Sequence, residues 1–140
     1  MRKILFSLIL TVQVLAFDTP TAAKIFNKIF NEMSMQTPIR VYCINAKYQK
    51  VIQLAKDLKL EKNVTFADIV LVDALSEIPK GKHPIIFTTN LSVFRKNTHA
   101  IGAFYWEHGR PKIVFLQSRL QKHNITLSKS FQRYIVKELP

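Results

Sequence analysis

The chain has 140 residues, 48% of them hydrophobic, with 10 Phe, 4 Tyr, 1 Trp and one Cys. That is enough for one domain with a real core, and it excludes a disordered tail, an internal disulfide framework and any multi-cysteine metal centre. Its 21 Lys and Arg against 9 Asp and Glu give a formal net charge of +12, a balance that taken alone suggests a nucleic-acid partner.

The first sixteen residues weigh against that partner. Met1-Arg2-Lys3 is a short positive stretch, and residues 4–15 are apolar apart from Ser7, Thr11 and Gln13. Val14-Leu15-Ala16 ends in a small residue at a cleavage-like position. This pattern is a secretory signal, well short of the ~20 apolar residues of a membrane span. The expected division is residues 1–16 as signal peptide, cut after Ala16, and residues 17–140 as a single exported α/β domain. Cleavage leaves 19 basic against 9 acidic side chains. Export removes DNA and RNA as partners and leaves an anionic membrane face, a wall polymer or an acidic protein patch. The lysines are scattered without a run of five, as on an ordinary solvated surface.

Asp18-Thr19-Pro20 predicts a helix start, with Thr19 as N-cap, and Ile25, Phe26, Ile29, Phe30 and Met33 follow at helical spacing. That helix should fail near Ser34. Residues 39–44 read as a strand. Tyr48, Val51, Ile52, Ala55 and Leu58 predict a second helix ending near Leu60. Residues 68–72 and 84–88 are continuous apolar runs of the kind a sheet buries on both faces. Asn90 is the expected cap of a short helix over 91–96.

Residues 100–107 and 112–117 then predict a hairpin at the sheet edge, with Gly109 supplying a positive φ in the turn. Alternation places Gly102, Phe104 and Trp106 on one face and Ile101, Ala103 and Tyr105 on the other. A short helix over 118–123 should end on a left-handed Asn124. Ser128 is the expected cap of a last helix carrying Phe131, Tyr134 and Ile135 inward. The predicted fold is α/β: one three-layer domain with a mixed, partly parallel sheet, a C-terminal β-hairpin and a final helix.

Little in this order carries catalysis. Cys43 lies inside a predicted strand without a partner thiol, so a buried inert cysteine is expected. His83, His99, His108 and His123 show no metal-ligand spacing, and Gly81, Gly102 and Gly109 form no phosphate loop. The expectation is therefore no enzyme, no cofactor and no metal. Phe104, Trp106 and Arg110 form the aromatic and basic group from which protein-binding surfaces are built. Asp73 falls at a strand's C-terminal end, where open α/β sheets place ligand-contacting groups, or else caps the next turn.

The stretch IGAFYWEHGRPKIVFLQSRLQKHNITLSKSFQRYI, residues 101–135, resembles the C-terminal part of YfiR/HmsC-type periplasmic regulators, and the upstream order of ADIVLV and PIIFTT strands looks similar. The resemblance implies a periplasmic α/β regulator that binds and restrains a membrane-anchored diguanylate cyclase, tuning cyclic-di-GMP signalling. It carries over no catalytic residues. Met33-Ser34-Met35-Gln36-Thr37-Pro38 departs from the family's aromatic-Pro helix ending, and Gln117 and Asn124 replace its usual Asn and Gly. With Cys43 as the only cysteine, redox control through an internal disulfide does not transfer.

Two functional expectations result. The first is an exported module acting through protein contact on a membrane signalling protein with a periplasmic domain, using Phe104, Trp106 and Arg110. The second is a small-ligand binder built like half of a periplasmic solute-binding protein, using Asn45, Asp73, Thr88, Thr89 and Asn90. A homodimer, or an intermolecular disulfide through Cys43, stays open.

Overall fold

A computed structural model describes residues 18–34, 36–81 and 85–140. The expected signal segment and its expected cut after Ala16 lie outside the described residues, as do Met35, His83 and the proline at 84. Helix α1 (Thr19–Met33) begins after Asp18, which holds the cap position expected of Thr19. The Asp18 carboxylate accepts from the Thr21 hydroxyl rather than from a backbone N–H. Ala22, Phe26, Ile29, Phe30 and Met33 recur every three or four positions and are all buried. The helix ends at Ser34, as expected.

Seven strands form one sheet: β1 (Ile39–Tyr42), β2 (Leu58–Glu61), β3 (Ile69–Val72), β4 (Ile85–Thr88), β5 (Ala100–Glu107), β6 (Arg110–Leu116) and β7 (Ile135–Val136). Their spatial order is β2-β1-β3-β4-β5-β6-β7. Strands β1 to β5 run parallel, β6 is antiparallel to β5, and β7 is parallel to β6. Helices α2 (Ala46–Leu54), α3 (Leu91–Lys96) and α4 (Gln117–Lys122) complete the α/β domain. The chain steps from β1 outward to β2, then returns across β1 to place β3 on the other side. The α2 residues Tyr48, Val51 and Ile52 join α1 on one face, whereas Val93 and Phe94 of α3 pack on the opposite face. A right-handed crossover dictates this alternation once the chain reverses its direction across the sheet. Strand β3 serves both layers, with Ile69 and Leu71 facing α1 and Val70 and Val72 facing α3.

Three expectations are corrected. The second helix stops at Leu54, and residues 58–61 form β2, aligned with β1 from Ile39–Leu58 to Tyr42–Glu61. The stop is imposed from α1: Asn27 accepts from the Asp57 backbone N–H at 2.7 Å, and the Asn27 and Asn31 amides donate to the Asp57 carboxylate at 2.9 and 3.0 Å. The last helix is a 3₁₀ segment, Lys129–Tyr134, and Ile135 begins β7, so the hairpin is not the sheet edge. A three-residue turn puts Phe131 and Tyr134 above one another, with their rings 5.3 Å apart. Ser128 makes no side-chain cap; its N–H donates to the Glu32 carboxylate at 2.7 Å.

The third correction concerns Ile101. The β4–β5 register runs Ile86–Ala100 and then Phe87–Gly102, so one extra residue sits in β5. The bulge puts Ile101 in the same cluster as Phe104, while Ala103 and Tyr105 pack on the far face as expected.

Candidate functional site

Two regions collect the residues singled out above. The first is the carboxyl edge of the parallel strands, at the point where the chain reverses between β1 and β3. Open sheets of this order leave a crevice there because neighbouring connections depart to opposite faces. Strand β3 delivers Asp73, and β4 delivers Thr88 and Thr89 beside it. The Thr89 hydroxyl donates to the Asp73 carboxylate at 2.5 Å, and Thr88 donates to the Val72 carbonyl at 2.8 Å.

Asn45 and Asn90 flank this group but serve their own helices. Asn45 Oδ1 accepts from the N–H groups of Lys47 and Tyr48 at 3.0 and 3.4 Å, and Asn90 Oδ1 accepts from Ser92 and Val93 at 2.8 and 3.3 Å. The five residues thus divide into a contiguous set of three and two helix caps. Asp73 does not cap the following turn with its side chain; Glu77 reaches back to accept from its backbone N–H at 2.9 Å.

Sequence reasoning missed two members of this cluster. Glu77 lies on a 3₁₀ turn, Leu75–Glu77, with no motif to mark it. The spacing of Tyr48 marks it only as part of the apolar side of α2, yet its hydroxyl meets Thr89. Burial raises the Tyr48 pKa, and the Thr89 hydrogen bond opposes the rise. Cys43 closes the group from β1, 3% exposed, with its thiol donating to the Asn45 carbonyl at 3.7 Å. Burial pushes the Cys43 thiol up to about 11, against the Asn45 hydrogen bond, and the negative charges of Glu77 and Asp73 raise it further. A thiol held protonated is a poor nucleophile. What the cluster offers a ligand is a local pair of carboxylates beside hydroxyls, within a basic protein.

The second region is the hairpin. Strands β5 and β6 align Phe104 with Ile113, Trp106 with Pro111 and Glu107 with Arg110. The two turn residues, His108 and Gly109, have φ of 53° and 76°. Such a turn follows the right-handed twist of the strands it joins. Phe104 is only 3% exposed, with its ring 5.1 Å from Phe26 of α1 and 6.0 Å from Trp106. It is therefore core, not a free contact residue; Trp106 is half-buried and Arg110 exposed.

Phe104 does reach an open cleft. With Ile29, Ile113, Phe131 and Tyr134 it lines a cleft of about 390 Å³ between α1, the hairpin and the 3₁₀ segment, with Lys28 and Arg133 among the lining side chains. Among the described residues, no group of three or more His, Cys, Asp or Glu is arranged to hold a metal ion, and no helix is long and apolar enough to cross a membrane. Comparison with protein-family models, with curated proteins and with solved structures finds no match.

Proposed function

We propose that the protein is an exported, non-catalytic binding module that acts by contact with the extracytoplasmic part of a membrane signalling protein. One observation carries the reading: the cleft over Phe104, apolar in its floor and cationic at Lys28 and Arg133, with the half-buried Trp106 ring 6.0 Å from that of Phe104. Apolar floors with charged margins are how protein contacts combine desolvation with orientation. The resemblance of residues 101–135 to periplasmic regulators of diguanylate cyclases supports the choice of partner and makes cyclic-di-GMP output the process affected.

Capture from detergent-solubilised membranes tests it. The tagged protein should retain a membrane protein with an extracytoplasmic domain, and Trp106→Ala with Arg110→Ala should lose it while keeping the wild-type circular dichroism. Phe104 is unsuited to this test, since truncating a buried Phe costs ~3–5 kcal/mol of stability. Undiminished capture by the double variant, or none by the wild type, removes the reading.

A second reading, a small-ligand binder, is favoured by the Asp73–Thr89 pair at the reversal point. Two carboxylates there select cationic or hydroxyl-rich metabolites over anions. A ligand at a hundred times its Kd stabilises the fold by about 2.7 kcal/mol, so a thermal-shift screen of such compounds decides the matter. A hit abolished by Asp73→Asn supports the binder; a screen without hits removes it.

A further inference from the structure

A second cavity, about 680 Å³, opens on the other side of α1, floored by Ala23 and Ala55 and lined also by Pro20 and Leu54. It shares Ile25 and Lys28 with the cleft over Phe104, so the two form one surface on both flanks of the helix. Lys24, Lys28 and Lys56 stand around the larger groove, and Lys28 and Arg133 around the smaller. Among the described residues no Asp or Glu lines either. The acids on and beside α1 are already engaged: Asp18 accepts from the Thr21 hydroxyl, Asp57 from the Asn27 and Asn31 amides, and Glu32 from the Ser128 N–H. Leu54, at 60% exposure, stands uncovered at the lip.

We infer, resting on the partner-binding reading above, that α1 and its flanking grooves seat an amphipathic helix of the partner, apolar on one stripe and bordered by Asp or Glu. The apolar floor gives such a helix area to bury. Lys24 and Lys28 are one turn apart on α1 and present two cations at the spacing of i, i+4 carboxylates on a facing helix. A second copy of this chain fits worse, because a two-fold contact through this face opposes the same lysines to one another. An anionic bilayer also fits worse, because its flat surface meets the lysines but leaves the concave floors unfilled.

The test is a fluorescence-anisotropy titration of the whole protein with two labelled 18-residue helical peptides. Both carry Leu at i, i+3, i+4 and i+7; one is bordered by Glu and the other by Lys. The Glu peptide should bind, more weakly as salt rises, and Lys24→Glu with Lys28→Glu should weaken it at least tenfold while improving the Lys peptide. Both lysines are exposed, so the variant folds as the wild type does. No binding, equal binding of the two peptides, or an unaffected variant overturns the assignment. So does tighter association with phosphatidylglycerol vesicles than with the Glu peptide, or self-association through this face. The two readings fail separately: membrane-protein capture that persists in the charge-reversed variant overturns the helix and spares the partner. Absence of any wild-type capture overturns the partner, and the peptide titration still decides the groove.

Discussion

Arg119 donates through Nη1 to the carbonyl oxygen of Phe94 at 2.7 Å, and its guanidinium lies 5.0 Å from the centre of the Phe94 ring. The same nitrogen donates to the Ala100 carbonyl at 2.8 Å. Phe94 O belongs to the last turn of α3, where carbonyls lack intrahelical partners. Ala100 opens β5 immediately before the bulge. A cation 7% exposed therefore satisfies two acceptors that the turn from α3 into β5 leaves over, and burial lowers its pKa.

Replacing Arg119 by Met keeps much of the stem packing and strands both carbonyls. Each unsatisfied buried acceptor costs ~1–3 kcal/mol, so urea unfolding should show a loss of about 2–6 kcal/mol. Arg119→Lys keeps the charge without the planar fork and should recover only part. A Met variant as stable as the wild type would show that water replaces the guanidinium.

Gly102 follows the bulge at Ile101 and is packed closely between β4 and β6. A Cβ there would stand 2.7 Å from Phe115 Cδ1, 2.8 Å from the Val114 carbonyl oxygen and 2.9 Å from Phe87 Cε2. The carbonyl is backbone of the paired strand and cannot step aside as a side chain can. Gly102→Ala should lower the urea midpoint by the equivalent of ~1–3 kcal/mol with the slope unchanged. An unchanged midpoint contradicts the close approach.

The contrast between β3 and β2 explains what the sequence made legible. Ile69-Val70-Leu71-Val72 is β-branched and apolar on both faces, so its own composition announces a buried strand. Leu58-Lys59-Leu60-Glu61 alternates too briefly to outweigh the helical spacing that Ala55 and Leu58 also satisfy. What decides it is Asn27 and Asn31 on α1 fixing Asp57, a contact across some thirty residues that no local pattern reveals. Ile135-Val136 is a strand only because β6 lies beside it. At the carboxyl edge, Asp73 and Thr89 were legible from their places at strand ends. Tyr48 and Glu77 join them only through the turn of α2 and the 3₁₀ segment. Phe104 had its face assigned correctly, but its burial depends on Phe26, which comes from another element.

The Asp57 pin has an acid signature. Hydrogen bonds from Asn27, then Asn31, hold the Asp57 carboxyl below its usual range. A carboxylate depressed on folding contributes stability that is present above its unfolded pKa and lost as pH falls through its folded one. As pH falls below the ordinary carboxylate range, the wild type should lose stability faster than Asp57→Asn, which has no charge to lose. Parallel slopes for the two proteins in acid unfolding would show that the amides hold the protonated acid equally well.

The Cys43 thiol makes the opposite prediction at high pH. With its pKa near 11, about one thiol in a thousand is ionised at pH 8, and the sulfur is buried besides. Iodoacetamide should label the native protein far more slowly than the urea-unfolded chain, where the thiol is ordinary and exposed. Because the folded state holds the proton more tightly than the unfolded one, its contribution to stability is full below the unfolded pKa. It is lost as pH climbs from about 9 toward 11. Unfolding curves from pH 8 to 10.5 should therefore fall more steeply for the wild type than for Cys43→Ala. Asp73→Asn and Glu77→Gln isolate the charge contribution from burial, since each removes a negative neighbour that disfavours the thiolate. Both should raise the native labelling rate at fixed pH without changing the unfolded rate. Native labelling as fast as unfolded labelling, or equal slopes for wild type and Cys43→Ala, would show that the strand end opens to solvent and that Cys43 is not held protonated by the fold.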